Sequence, residues 1–132
     1  FDMFGQQTFR RAEREALEDV LAKHPAFVMA TSGSIVTEAA TLERLLSSCL
    51  TVWVKAEPAE HMQRVMSQGD MRPMAGSPRA MADLNSILDS RKPLYAKADL
   101  AVSTTGKTPD EAAADLLRAV AVPDNRISRR SA

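Results

Sequence analysis

The chain has 132 residues, 45% apolar and 26% charged, a balance that excludes a disordered tail and a membrane span and suits one globular domain. Seventeen Lys and Arg offset seventeen Asp and Glu, so the chain as a whole has no electrostatic hold on a polyanion, which argues against autonomous nucleic-acid binding. No apolar run of about 18 residues and no charged-then-apolar leader occurs, and the one cysteine, Cys49, fits a reducing compartment, so a cytoplasmic protein is expected.

The chain opens on the apolar cluster Phe1-Asp2-Met3-Phe4, where an exposed polar terminus is usual; this reads as a cut through a domain. From Gly5 to about His24, apolar residues at Phe9, Ala12, Ala16, Leu17, Val20 and Leu21 have the spacing of a helix with one buried stripe. Its other face is charged, through Arg10, Arg11, Glu13, Arg14, Glu15, Glu18 and Asp19. Pro25 ends it, and the apolar run Ala26-Phe27-Val28-Met29-Ala30 predicts a strand covered on both faces. The small-residue loop Thr31-Ser32-Gly33-Ser34 follows. A helix is predicted from about Glu38 to Ser48 with Leu42, Leu45 and Leu46 inward, and a second buried strand from Leu50 to Val54. Pro58 suits the first position of a helix running to Gln68, with Met62, Val65 and Met66 as its stripe.

Between Gly69 and Pro78 the periodicity disappears, which predicts a long loop. Helical spacing returns at Met81, Leu84, Ile87 and Leu88 and again through Pro93-Leu94-Tyr95. A third strand, Leu100 to Ser103, leads through Thr104-Thr105-Gly106-Lys107-Thr108 into a helix from Pro109 to about Val120. Residues 122–132 are polar, with Arg126, Arg129 and Arg130, and read as a flexible tail. Alternating strands and helices imply an α/β fold with a doubly wound parallel sheet.

Gly106-Lys107-Thr108 imitates the end of a phosphate-binding P-loop, but the position where that loop opens on glycine is Ala101, inside the strand. Thr108 reads instead as an N-cap, with Asp110 and Glu111 in the first helical turn. The loop Thr31 to Ser34 stands at the carboxyl end of a predicted strand. That is where such sheets bind ligands, yet an ordinary strand-to-helix turn has the same composition. Arg10, Arg72 and Arg91 each have a structural reading, as a solvated helix residue, a loop residue and a helix-end charge; they matter together only if the fold gathers them. His24 and His61 have no Cys, Asp or Glu at metal-ligand spacing, so no metal site is expected. Met71 and Met74 could line an adaptable apolar pocket.

Taken in order, Gly5-Gln6-Gln7-Thr8-Phe9-Arg10-Arg11-Ala12-Glu13, Ala30-Thr31-Ser32-Gly33-Ser34, Val52-Trp53-Val54, Arg72-Pro73-Met74 and Arg91-Lys92-Pro93-Leu94-Tyr95 with Ala98-Asp99 resemble the shikimate kinase family over Phe1 to Val120. The resemblance implies a P-loop fold in which ATP and Mg phosphorylate a small hydroxy acid under a mobile lid, here about residues 69–78. By position, Arg10 and Arg91 would hold the substrate carboxylate, and Arg72, the one catalytic candidate, would reach the phosphates from the lid. Ser32, Gly33 and Ser34 stand where the family has three glycines contacting substrate. Gln6 replaces the usual Glu, and the N-terminal strand with its P-loop is absent from this chain. By itself the chain is therefore expected to lack kinase activity and any cofactor.

The stretch from Gly69-Asp70-Met71-Arg72-Pro73-Met74-Ala75-Gly76 through Ala80-Met81-Ala82-Asp83-Leu84 to Asp99, with Trp53, Lys55 and Pro58 to Met62, is also similar to bacterial transcriptional regulators. These join a helix-turn-helix domain to a C-terminal shikimate-kinase-like domain and respond to benzoyl-CoA in aromatic catabolism. That resemblance makes residues 1–121 a ligand-sensing domain for an aromatic acyl-CoA. It would touch DNA only through a separate N-terminal domain, with a homodimer as the usual assembly and no membrane partner. This is the leading expectation, and a shikimate kinase is the alternative.

Overall fold

A computed structural model of the chain describes residues 3–67 and 77–121, with side chains over 5–63, at 79 and over 81–121. The chain divides into two compact units, residues 1–49 and 50–132.

The first unit opens with helix α1, Met3–Lys23. Lys23 in its last turn complements the helix dipole and forms an i,i+4 pair with Asp19 at 2.7 Å; Pro25 then prevents continuation. Of the predicted stripe, Leu17 is buried, Val20 and Leu21 are half-buried, and Phe9, Ala12 and Ala16 are exposed. A short 3-10 helix, Gly33–Thr37, buries Ile35 and Val36. Helix α2, Ala39–Ser48, buries Leu42 and Leu45 as expected from their spacing, and Thr41 beside them. Two ion pairs tie α1 to the segment that follows: Arg14 to Glu38, and Arg44 to Glu18 through Nε at 2.7 Å and Nη2 at 3.2 Å. The hydrogen bonds from Arg44 hold the exposed Glu18 carboxyl below the usual carboxylate range.

Residues 26–30 correct the sequence reading, because they form no strand among the described residues. Val28 is wholly exposed and Phe27 is 38% exposed. An apolar run has the composition of a buried strand but becomes one only with a ladder partner, and this unit contains none among its described residues.

The second unit holds a two-stranded parallel sheet, not the predicted three strands. Its strands are β1, Val52–Lys55, and β2, Leu100–Ser103, in register Val52 with Leu100 through Lys55 with Ser103. Parallel strands require a long crossover, supplied here by α3, Pro58–Ser67, and α4, Ser77–Tyr95. Pro58 takes the first position of α3, where its missing N–H is no loss. Helix α4 runs through Pro93 to Tyr95, where helical spacing is expected. Helix α5, Pro109–Ala121, packs on β2. The arrangement is a mixed helix and strand fold with a small parallel sheet, compatible with the P-loop kinase architecture.

The head of the sheet is clasped. Thr51 donates from its amide (3.0 Å) and its hydroxyl (3.1 Å) to Asp99 Oδ2, while the Asp99 amide donates back to Thr51 Oγ1 at 3.0 Å. At the other end the Thr104 amide and hydroxyl both reach the Lys55 carbonyl, at 2.8 and 3.0 Å. Trp53 stacks on Tyr95 with ring centroids 5.6 Å apart, and Lys55 Nζ lies 4.7 Å from the Trp53 ring centre. Among the described residues no helix is long and apolar enough to cross a membrane.

Candidate functional site: an arginine-lined groove

Residues three and four apart on a helix share a face, so α1 presents Gln7, Arg10, Arg11 and Arg14 together. With Gln6, Thr8 and Glu38 they line one open groove of the first unit. Three guanidinium groups meet two carboxylates there, those of Glu38 and of Glu13 beside Arg10, which leaves the groove net positive. Guanidinium forks match planar carboxylates and phosphates, so the groove has the chemistry to pair with a small anion.

Arg10 is the anchored member. Its Nη1 donates to Glu13 Oε1 at 3.0 Å, its guanidinium lies 5.3 Å from the Phe9 ring centre, and its side chain is 21% exposed. Ser32 Oγ donates to the other Glu13 oxygen at 2.6 Å, and Ser34 Oγ stands 3.3 Å from Ser32 Oγ. Gly33 opens the 3-10 helix between the two serines. Four of the six residues proposed from sequence, Arg10, Ser32, Gly33 and Ser34, thus fall in one neighbourhood of the first unit.

Arg91 belongs to the second unit, half-buried on α4. Arg72, with Met71, Met74 and the lid expected at 69–78, lies outside the described residues, apart from the helical backbone of 77–78. The tail at 122–132 also lies outside them. Sequence reasoning missed Glu13, Arg11 and Arg14 as site residues and assigned them to a solvated face. The signal was present in the i,i+4 spacing of Arg10 and Arg14, but a charged helix surface has the same pattern.

The second unit settles the Gly106-Lys107-Thr108 ambiguity. Gly106 adopts φ +70°, a conformation that glycine takes without strain. Its amide donates to the Glu60 carboxylate at 3.1 and 3.4 Å, and Lys107 Nζ pairs with Asp115 at 2.5 Å. A phosphate cradle needs free amides and a free lysine, and here both face carboxylates. Thr108 and Glu111 form a reciprocal capping box. The Thr108 amide donates to Glu111 Oε1 at 3.0 Å, and the Glu111 amide donates to Thr108 Oγ1 at 3.2 Å. These bonds, the backbone one foremost, hold the Glu111 carboxyl below its ordinary range; the hydrogen bond from Lys107 does the same for Asp115.

The Gly106-Lys107-Thr108 turn therefore does not fit a triphosphate cradle. Among the described residues no three His, Cys, Asp or Glu side chains gather as a metal site, and His24 and His61 are both exposed. No step through ATP or Mg is derived from them.

The small parallel α/β unit is compatible with a fold of the P-loop kinase type, and the first unit carries an arginine-lined groove. The comparisons make the family specific. The shikimate kinase family profile matches residues 1–121, and the chain belongs to that family. It is 32% identical over 118 residues to a shikimate kinase of Synechococcus sp. (strain CC9605), covering 89% of this chain and 58% of that protein. It is 36% identical over 109 residues to the shikimate kinase of Parasynechococcus marenigrum (strain WH8102), covering 83% and 56%. With the shikimate kinase of Thermobifida fusca (strain YX) it shares 36% over 110 residues, covering 83% and 62%. The chain thus spans less than two thirds of the length of these relatives.

These matches overturn the leading expectation. Relatives named shikimate kinase match most of the chain, so the reading as a benzoyl-CoA-sensing domain of a helix-turn-helix transcriptional regulator is withdrawn.

Proposed function

We propose that this protein is a shikimate kinase and that the first unit holds the acidic acceptor. The observation that carries this reading is the Arg10, Arg11 and Arg14 groove with Arg10 anchored by Glu13. Arg10 takes the substrate carboxylate through the guanidinium N–H groups not engaged by Glu13. Ser34 and the backbone beside Gly33 border the same neighbourhood and face the rest of the small hydroxy acid. Arg91 as a second carboxylate ligand, Arg72 as a lid residue reaching the phosphates, and residues 122–132 as a solvated tail are part of the proposal through family resemblance. ATP with Mg supplies the phosphoryl group when bound, and its cradle is assigned to none of the described residues. Cys49, the one cysteine of the chain, makes no internal disulfide, which suits a cytoplasmic enzyme.

Calorimetric titration of the chain with shikimate, alongside a coupled assay with ATP and shikimate, tests the reading. A carboxylate hydrogen-bonded to a guanidinium loses about 1.5–3 kcal/mol when the partner is removed. Arg10→Ala should therefore weaken shikimate binding by about ten- to a hundredfold. Equal affinity of wild type and Arg10→Ala would remove Arg10 from the site, and no shikimate binding at about millimolar concentration would remove the function.

A further inference from the structure

Ser32 occupies the N-cap position of the 3-10 helix, with φ −65° and ψ 149°, yet its side chain makes no cap hydrogen bond. A serine at that position ordinarily turns its hydroxyl to the amides of the following turn. Here the hydroxyl crosses to α1 and donates to Glu13 Oε2 at 2.6 Å, the short distance of a charge-assisted bond. A hydroxyl has one proton. Since that proton is donated to Glu13, the 3.3 Å contact between the two serines must have Ser34 as donor and Ser32 as acceptor. The chain of bonds therefore runs from Ser34 to Ser32 to Glu13, and Arg10 closes it from the other side at 3.0 Å. Both oxygens of Glu13, whose side chain is 13% exposed, are held, one by the loop and one by the arginine.

We infer that Ser32 is a positioning residue of the acid-binding groove, fixing Glu13 and through it the orientation of the Arg10 guanidinium. An i,i+3 ion pair on a helix surface is weak and leaves both side chains free to change rotamer. Anchoring the carboxylate from a second segment removes that freedom, so Arg10 meets an incoming carboxylate with its donors already oriented and loses less entropy on binding. Phe9 beneath the guanidinium restrains its plane in the same sense. The consequence for function rests on the acid-binding reading above, whereas the restraint on Arg10 does not.

The test separates the two. Side-chain NMR of the full chain measures rotation about the Arg10 Nε–Cζ bond, and shikimate titration measures affinity. Ser32→Ala should speed the rotation severalfold and weaken shikimate binding about fivefold. Ser32→Thr, which keeps the hydroxyl, should restore both to within about twofold of wild type. A residue that only anchors its loop would lower thermal stability in Ser32→Ala and leave the Arg10 rotation unchanged; that result overturns the inference. If wild type does not bind shikimate, the acid-binding reading fails while the rotation rates still decide the role of Ser32. If Ser32→Ala does not fold, Ser32→Gly replaces it, since it also removes the hydroxyl and suits an N-cap position: freed Arg10 rotation supports the inference, and unchanged rotation overturns it.

Discussion

Removing the Asp99 carboxylate should unfasten the head of the parallel sheet, and the geometry gives the size of the effect. Oδ2 accepts from the Thr51 amide at 3.0 Å and from the Thr51 hydroxyl at 3.1 Å, both half-buried. Hydrogen bonds to a charged acceptor contribute about 1.5–3 kcal/mol each. Solvent reaches both residues and replaces part of the loss, so Asp99→Ala should cost about 2–3 kcal/mol. For a unit of this size that lowers the melting temperature by about 11–17 °C. Thr51→Val removes the hydroxyl, which also accepts from the Asp99 amide at 3.0 Å, and should cost about 2 kcal/mol. The two residues share the hydroxyl-to-carboxylate bond, so a double-mutant cycle should return a coupling of about 1 kcal/mol. Trp53, the one tryptophan of the chain, lies on β1 next to this clasp and stacks on Tyr95. Its fluorescence reports the same unit during thermal unfolding. A loss below about 0.5 kcal/mol in Asp99→Ala, or additive single effects, would refute the clasp.

Two further outcomes concern stability. Thr108→Ala removes half of the capping box of α5 and should cost about 1 kcal/mol, measured by denaturant unfolding. The folded-state pKa of Glu111 is depressed, so its contribution is complete above the ordinary carboxylate value of about 4 and is lost as pH falls through the lower folded value. Melting temperature followed from neutral to about pH 3 should therefore fall less steeply in Glu111→Gln than in wild type. Thr41 is 3% exposed, and its hydroxyl has no hydrogen-bond partner among the described residues. Thr41→Val should raise stability by about 1 kcal/mol in the same unfolding assay, because it replaces an unsatisfied buried polar atom by a methyl group of the same shape.

What the sequence revealed depended on the range of the interaction responsible. Helices were legible because their determinants are local. Pro25 and Pro58 mark the end of α1 and the start of α3, and the Leu42 and Leu45 spacing selects the buried face of α2. The far end of α4 was legible too, since helical spacing continues through Pro93 to Tyr95. Strands were legible only where a partner exists. Leu100 to Ser103 found β1, whereas Ala26 to Ala30, with equal apolar content, found no partner among the described residues. Within the site, Arg10 could be singled out by resemblance. Its link to Ser32 spans 22 positions and passes through Glu13, a residue that local charge patterning assigns to solvent.

The same distinction explains why the regulator resemblance looked the more credible from sequence. Many residues shared with the regulator resemblance, among them Trp53, Tyr95 and Asp99, stack a strand on a helix or clasp two strands at their head. Any chain that keeps this α/β unit needs such contacts, whether it transfers a phosphoryl group or reports a ligand. They identify a fold and carry little information about what it binds. Discrimination belongs to groups whose arrangement the fold alone does not require: the three arginines of α1, the carboxylate that anchors Arg10, and the serine hydroxyl turned away from its own helix cap. Those groups gather positive charge over a groove suited to a small carboxylate. The substrate question therefore rests on Arg10 and Ser32 more than on the longer stretch of similarity around Asp99.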